Sequence, residues 1–490
     1  MRLSKTQYLR GLQCRKSLWL YHFRPELRAQ ASPGLEHIFA QGRRIGELAR
    51  RRFPGGTLVA AEHDHIPEAL RQTADALKQG AGTIFEAAFI HDDVLVRPDV
   101  LVRSGSGWEL IEVKSSTEIK DVYLPDVALQ RFALEGAGLP IRKACLMHVD
   151  NEYVRRGDID TERFFRIADV TKMSAPHLRQ VPARLAAMRA ALACRDMPDI
   201  DIGAHCSTPY DCDFQGFCWR HVPDYSVYDL KRADFRVINE LRRLGVMRLE
   251  DIPAGFRLTD SQEIQVRVAK TGAPHIDGPA IKACLEQLAY PLYFLDFETV
   301  NLAVPPYDGL RPFQSLPFQA SLHVQEEPGA AVAHREYLGD PKSDPRPGLV
   351  EFLVGSIGAE GSVVVYNASF EGGRLAELAE AFPKQAPALA GIKRRLWDLI
   401  VPFRSSLFVH PNMRGRASLK SVLPALAPGM SYDDLDIGNG EMAFLAYESL
   451  VEGKVGAAQT EKTLAALREY CGQDTLGMVE ILKVLQQYAA

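Results

Sequence analysis

The stretch Tyr293-Phe294-Leu295-Asp296-Phe297-Glu298-Thr299 constrains this chain most, because it is an apolar run interrupted by two carboxylates spaced two apart. Side chains on a strand alternate faces, so Asp296 and Glu298 project from one face while Leu295 and Phe297 fill the other. Carboxylates sharing a face repel unless a cation neutralises them, and hard oxygen donors suit magnesium or manganese. A solvated strand edge has the same spacing, so the pair needs partners elsewhere in the chain before it reads as a metal site.

Two later segments offer them. Ser362-Val363-Val364-Val365-Tyr366-Asn367 reads as a second buried strand, and Ala368-Ser369-Phe370-Glu371 then places a carboxylate at the start of a helix running through Leu375 and Leu378. Tyr470-Cys471-Gly472-Gln473-Asp474 opens an apolar helix, Thr475 to Leu485, with Tyr470 and Asp474 four apart and so on one face. In this order, over about 180 residues, the motifs resemble the RNase H-like DEDD exonucleases, in the subgroup with a tyrosine four residues before the last aspartate. The resemblance implies a two-metal phosphodiesterase. Asp296, Glu298 and Asp474 would hold one ion, Asp296 would bridge to a second, Glu371 would act directly or through water, and Tyr470 would orient the attacking water. Trp397-Asp398-Leu399 and Ser418-Leu419-Lys420-Ser421-Val422-Leu423 are similar to the family's intervening strand-end aspartate and helix start, with Asp398 structural. The family usually carries Asp in its second motif, where this chain has Glu371.

The first two hundred residues carry a different pattern. Val96-Arg97-Pro98-Asp99-Val100-Leu101-Val102 and Trp108-Glu109-Leu110-Ile111-Glu112-Val113-Lys114 read as a hairpin joined by Ser104-Gly105-Ser106-Gly107. Asp99, Glu112 and Lys114 then share one end of it. This arrangement resembles the PD-(D/E)XK nucleases, and Gln130 within Asp126-Val127-Ala128-Leu129-Gln130 resembles the glutamine helix of RecB-like members. The resemblance implies metal-binding carboxylates, with Glu86 as a further acid, and a lysine supporting the attacking water or the developing charge. Where RecB-like enzymes often place a metal-binding histidine, this chain has Gly46. An ordinary hairpin with surface ion pairs is the plainer alternative.

Cys206, Cys212 and Cys218 have five residues between each pair, and Cys14 lies far upstream. Four thiolates can wrap an iron-sulfur cluster, and one remote cysteine with a later trio resembles the iron-sulfur RecB-like nucleases, including those associated with CRISPR adaptation. Zinc is the rival, but zinc sites usually present close Cys-x2-4-Cys pairs, and none occurs here. A 4Fe-4S cluster is the expectation. Cys145, Cys194, Cys284 and Cys471 read as buried small hydrophobes, and His205 and His221 as bystanders.

A chain of 490 residues exceeds one ordinary domain, and 46% hydrophobic with 24% charged residues is ordinary globular composition. Met1-Arg2-Leu3-Ser4-Lys5 lacks an apolar signal region and no run suffices to span a bilayer, so a cytoplasmic protein without a membrane partner is expected. Reduced thiols there favour cluster ligation over disulfides. Net charge is -4, but residues 1–52 hold 12 Lys and Arg against three acids, and residues 391–422 hold seven against one. Phosphate backbones prefer such patches. In the second patch Arg404, Arg414, Arg416 and Lys420 are the candidate nucleic-acid contacts.

Residues 223–288 show mixed helical periodicity, read as a helical connector with a faint helix-hairpin-helix pattern around Gly245. His63/His65 and Asp92/Asp93 read as loop residues. No Gly-xxxx-Gly-Lys-Ser/Thr loop occurs, so ATP use is not indicated.

The expected fold class is α/β. An N-terminal PD-(D/E)XK restriction-endonuclease-like domain with an iron-sulfur cluster spans 1–222, the connector 223–288, and an RNase H-like domain 289–490. The expected function is magnesium- or manganese-dependent hydrolysis of nucleic acid, DNA ahead of RNA, with 3'-to-5' digestion at the C-terminal site. A non-catalytic nucleic-acid-binding protein with degenerate nuclease domains is the alternative, and a zinc-stapled interaction protein a third.

Overall fold

The central strand of the second half, Leu292–Val300, forms because its apolar residues have a core on each side. Leu295 is wholly buried and Phe297 nearly so, in a cluster with Leu322, Val350, Val363, Val365, Leu375 and Leu389. The computed structural model, which describes residues 2–62 and 64–489, is a mixed α/β protein. It divides into one unit of residues 1–221 with 302–313, and a second of 222–301 with 314–490. His63 lies outside the described residues.

In the second unit, Leu292–Val300 is the middle of a five-stranded sheet. One neighbour is the antiparallel strand Leu316–Gln325, followed by Ala333–Leu338, with Asp296 opposite Ser321 and Glu298 opposite Gln319. The other neighbour is the β-branched strand Ser362–Val365, which runs parallel and is followed by Leu396–Asp398, also parallel. Phe294 pairs with Val364, so Asp296 extends just past the carboxyl end of the parallel pair. Such strand ends are where open α/β sheets bind ligands. Glu371 lies in the first turn of the helix Ala368–Ala381, which leaves that same strand after Asn367.

Helix Ala457–Ala489 completes this half. It is longer than the expected Thr475–Leu485, so Tyr470 and Asp474 sit mid-helix rather than at its opening. Its buried residues, Leu467, Tyr470, Cys471, Asp474, Thr475, Met478, Ile481, Leu482 and Leu485, follow helical spacing. Residues 223–288 belong to this unit. Helices Phe235–Arg243 and Asp260–Thr271 contribute to a small core of Val227, Ile238, Leu241, Leu249, Ile252 and Val266.

In the first unit a six-stranded sheet holds the hairpin Val100–Ser104 and Gly107–Lys114. The first strand starts at Val100 rather than Val96. Val96 belongs to Val94–Val96 in a separate three-stranded sheet, because Pro98 supplies no ladder donor and ends the run. Ser104 pairs with Gly107, leaving Gly105 and Ser106 as the turn. Ile141–Val149 runs parallel to Gly107–Lys114, and the helix Leu124–Gly136 makes the crossover between them. No described helix is long and apolar enough to cross a membrane.

Candidate functional site

Four carboxylates of the second unit, drawn from three elements, act on one another. Asp296 and Glu298 come from the central strand, Asp474 from the long helix and Glu371 from the helix after the parallel strand. Glu298, Asp474 and Glu371 are only 8%, 5% and 3% exposed. Burial, then Asp474, Glu298 and Glu371, pushes the Asp296 carboxyl well above its ordinary range. Burial and then Asp474 lift Glu298 to about 8, and burial followed by Asp398 lifts Glu371 to about 8. Asp474 rises to about 6 through burial, held down by Tyr432, Lys420 and Tyr470. Buried acids that cannot ionise together form a set that a cation would complete.

The unsatisfied atoms support the same reading. Oε2 of Glu371 is buried without a hydrogen-bond partner. No hydrogen bond or ion pair to the Glu298 carboxylate is found among the described residues. Ligand atoms of Asp296, Glu298 and Cys471 lie within 4.8 Å of one another. Hard oxygens in such a group fit magnesium or manganese.

The aromatic and basic partners were only half legible. Tyr432 donates a hydrogen bond to Asp474 Oδ1, and Tyr470 also helps to hold this carboxyl down. Burial and then Asp474 raise both phenols far above their usual range, so each stays protonated. Lys420 was expected in the basic patch. Instead its ammonium donates to Gly438 O at 2.9 Å and lies 4.7 Å from the Tyr470 ring centroid, within the field of Asp474, Glu298 and Asp296. It is a cation of the acidic site. Arg404, Arg414 and Arg416 are exposed, Arg404 within 3.4 Å of Asp398. Asp398 also accepts from the Ile400 backbone, as befits a structural residue.

A polar network fixes the long helix to the sheet. Thr475 Oγ1 lies 2.7 Å from Ser321 Oγ and 2.8 Å from His323 Nδ1, and Ser321 Oγ lies 2.9 Å from His334 Nε2. Burial and then His334 lower His323 to about 4, so it is neutral at neutral pH. Ser321 faces Asp296 in register, and Thr475 follows Asp474, so these bonds set how closely the two carboxylates approach.

The carboxylates make a stability prediction. Unfolded carboxyls titrate near about 4, whereas folded Glu298 and Glu371 keep a proton to about 8. Between those limits the folded state binds more protons, so metal-free stability is greatest at the acidic end and falls as pH rises. Melting without metal should therefore drop from pH 5 to pH 8, and manganese should restore it at pH 8. A metal-free midpoint that rises over this window contradicts the assignment.

The first unit gathers its own set. Val113 donates to Asp99 Oδ2 at 2.7 Å. Glu112, 2% exposed, accepts at Oε1 from Lys114 and from Lys5, both at 2.7 Å, and at Oε2 from Gln130 at 2.6 Å. Lys114 also reaches Asp126 Oδ2 at 2.7 Å, and Gln130 reaches Asp126 Oδ1 at 2.9 Å. Burial would raise Glu112, but Lys114 and Lys5 hold it well below the usual carboxylate range. Burial and then Glu112 push Asp99 well above its own, and Glu86 adds to this. Gly46 lies in the helix Pro33–Arg50 and supplies no ligand. Lys5 and Asp126 were missed. A lysine 107 positions before its partner leaves no local pattern, while Asp126 could have been found as the i−4 neighbour of Gln130.

Cys14, Cys206, Cys212 and Cys218 line one cavity with Lys16, Ser17, Phe214 and Gln215. Cys14 caps the helix Arg15–Phe23, its sulfur accepting from Ser17 N, and Cys212 Sγ lies 3.4 Å from Ser17 Oγ. Asp213 is clamped by Arg10 at 2.6 and 2.8 Å, which ties the late cysteine segment to the first helix. Burial raises the thiols of Cys14 and Cys218. Of the remaining four, Cys145 and Cys471 are buried, but Cys284 is half-buried and Cys194 exposed, contrary to expectation. Asp92 and Asp93, at φ of 46° and 51°, form a turn between strands, and His65 is exposed beside Asp64.

A family model described as a domain of unknown function (DUF2779) matches residues 293–418, which include Asp296, Glu298, Glu371 and Asp398 and stop before Lys420, Tyr470 and Asp474. The uncharacterized protein UU173 of Ureaplasma parvum serovar 3 is 24% identical over 285 residues, 54% of this chain and 41% of that protein. An uncharacterized MG366 homolog of Mycoplasma pneumoniae is 27% identical over 222 residues, 42% and 33% respectively. The chain thus spans less than half the length of these curated relatives. No solved structure matches it.

Proposed function

We propose that the chain is a metal-dependent nuclease whose working site is the carboxylate cluster of the second unit, in an RNase H-like domain. The observation that carries this reading is the convergence of Asp296, Glu298, Asp474 and Glu371 beside the carboxyl end of a parallel strand pair, with Glu298 and Glu371 buried and short of partners. Asp296, Glu298 and Asp474 would hold one divalent cation, and Glu371 with Asp296 a second. When bound, such cations supply Lewis-acid stabilisation of the attacking and leaving oxygens of a phosphodiester. Tyr470, kept as a phenol, orients the attacking water by donating to or accepting from it. Lys420 offsets part of the charge that builds at the phosphate. Arg404, Arg414 and Arg416 are exposed cations able to contact the backbone.

The first unit, read as RecB-like, supports the second reading of a binding rather than cleaving module. Both oxygens of Glu112 already accept from ammonium or amide donors, so Lys5 and Lys114 occupy the role a metal would take. Four of its cysteines, Cys14, Cys206, Cys212 and Cys218, share one cavity and are the set that would hold an iron-sulfur cluster. Protein purified without oxygen should be brown, with iron and acid-labile sulfide, and each Cys→Ala change should remove the colour. Stoichiometric zinc without iron would defeat this part. The nuclease reading is tested by digestion of end-labelled DNA and RNA with magnesium or manganese. Binding without cleavage under either metal would favour the non-catalytic reading for the whole chain.

A further inference from the structure

Cys471 is buried like a core hydrophobe, yet its sulfur faces a carboxylate. The residue is fully buried, and Sγ lies 3.8 Å from Asp296 Oδ2. It occupies the same turn of the long helix as Tyr470 and Asp474, so the backbone that delivers Asp474 delivers the thiol. Its sulfur and oxygens of Asp296 and Glu298 are mutually within 4.8 Å. A second observation points to a ligand there: Glu298 is 8% exposed, and no hydrogen bond or ion pair to it is found among the described residues.

We infer that Cys471 is a further ligand of the cation held by Asp296, Glu298 and Asp474, and that its sulfur turns the site's preference from magnesium towards more thiophilic divalent ions, zinc and cadmium first, with manganese ahead of magnesium. The inference rests on the metal reading of this site and goes beyond it by naming a sulfur donor. Soft thiolate ligands select against magnesium, which takes oxygen. On binding, the Cys471 S–H proton is released to solvent and the sulfur lone pair takes its place at the ion. Without metal the same thiol acts as a weak donor towards Asp296.

The test uses the full chain, stripped of divalent metal without oxygen and titrated with cadmium, while the thiolate-to-cadmium charge-transfer absorbance is followed. The parent is compared with Cys471→Ser, Cys471→Ala and Asp296→Asn. Any signal from the four-cysteine cavity is common to all four proteins and cancels. We expect a component of the absorbance that is lost in all three variants. Manganese should compete for this site better, relative to magnesium, in the parent than in Cys471→Ser by about ten-fold or more, the scale on which ligand surroundings shift metal affinity. Melting curves identify a variant that has not folded, and the serine and alanine changes check each other. Asp296-dependent cadmium binding of unchanged amplitude and affinity in Cys471→Ser overturns the sulfur ligand while leaving the metal site standing. Absence of any Asp296-dependent binding of cadmium or manganese in the parent overturns both.

Discussion

Asp296→Asn and Asp474→Asn should each cut metal-dependent digestion of nucleic-acid ends by more than about 100-fold, because even partners outside the ligand set typically cost 10–100-fold. Each variant removes a charge from a cluster in which burial and neighbouring carboxylates already raise proton affinity. The apo protein should therefore be no less stable, and a melting midpoint equal to or above that of the parent would separate lost chemistry from lost folding. Glu371→Gln should fall by about 10–100-fold, and Glu371→Asp should keep part of the activity, since charge is retained and reach shortened. Glu112→Gln, in the other unit, should leave end digestion intact at temperatures where both units are folded. Equal loss in Glu112→Gln and Asp296→Asn would reject independent sites.

Lys5→Ala and Lys114→Ala should each destabilise the first unit by about 1–3 kcal/mol, because each removes a donor to buried carboxylates that the other lysine still partly neutralises. Glu112 and Asp126 are both 2% exposed, and the two lysines are their cationic partners. Neutralising the acid as well should recover much of the loss. In a double-mutant cycle, Lys5→Ala with Glu112→Gln should be less destabilised than the sum of the single changes. Additive losses, measured by denaturant unfolding, would show that the Lys5–Glu112 contact does not hold the unit together.

Local pattern carried the parts of the site that lie within one element. Asp-x-Glu on a strand, a carboxylate in the first turn after a strand, and Tyr and Asp four apart on a helix are each set by backbone periodicity alone, and the structure brings all of these residues together. Groups that arrive from distant segments were invisible for the same reason. Lys5 meets Glu112 from the other end of the unit, and Tyr432 bonds Asp474 from a loop 42 residues away. Lys420 sat in a run of basic residues and so read as surface. Its helix, Leu419–Leu426, packs on the long C-terminal helix, and only that packing turns its ammonium towards the carboxylates. Cys471 read as apolar because a cysteine beside no other cysteine or histidine gives no ligand spacing. The hairpin start was placed four residues early because Val96 and Val100 are both strand-like, and the break between them depends on which sheet each one joins.

Whether the carboxylate cluster of the second unit hydrolyses phosphodiester bonds can be read from a single labelled strand. The parent and Asp296→Asn are incubated with a 5'-labelled single strand in manganese and then in chelator. A ladder of progressively shorter labelled strands is expected for the parent in manganese, and none in chelator or for the variant. An intact strand with the parent in manganese and magnesium alike, or an equal ladder with Asp296→Asn, would contradict hydrolysis at this cluster.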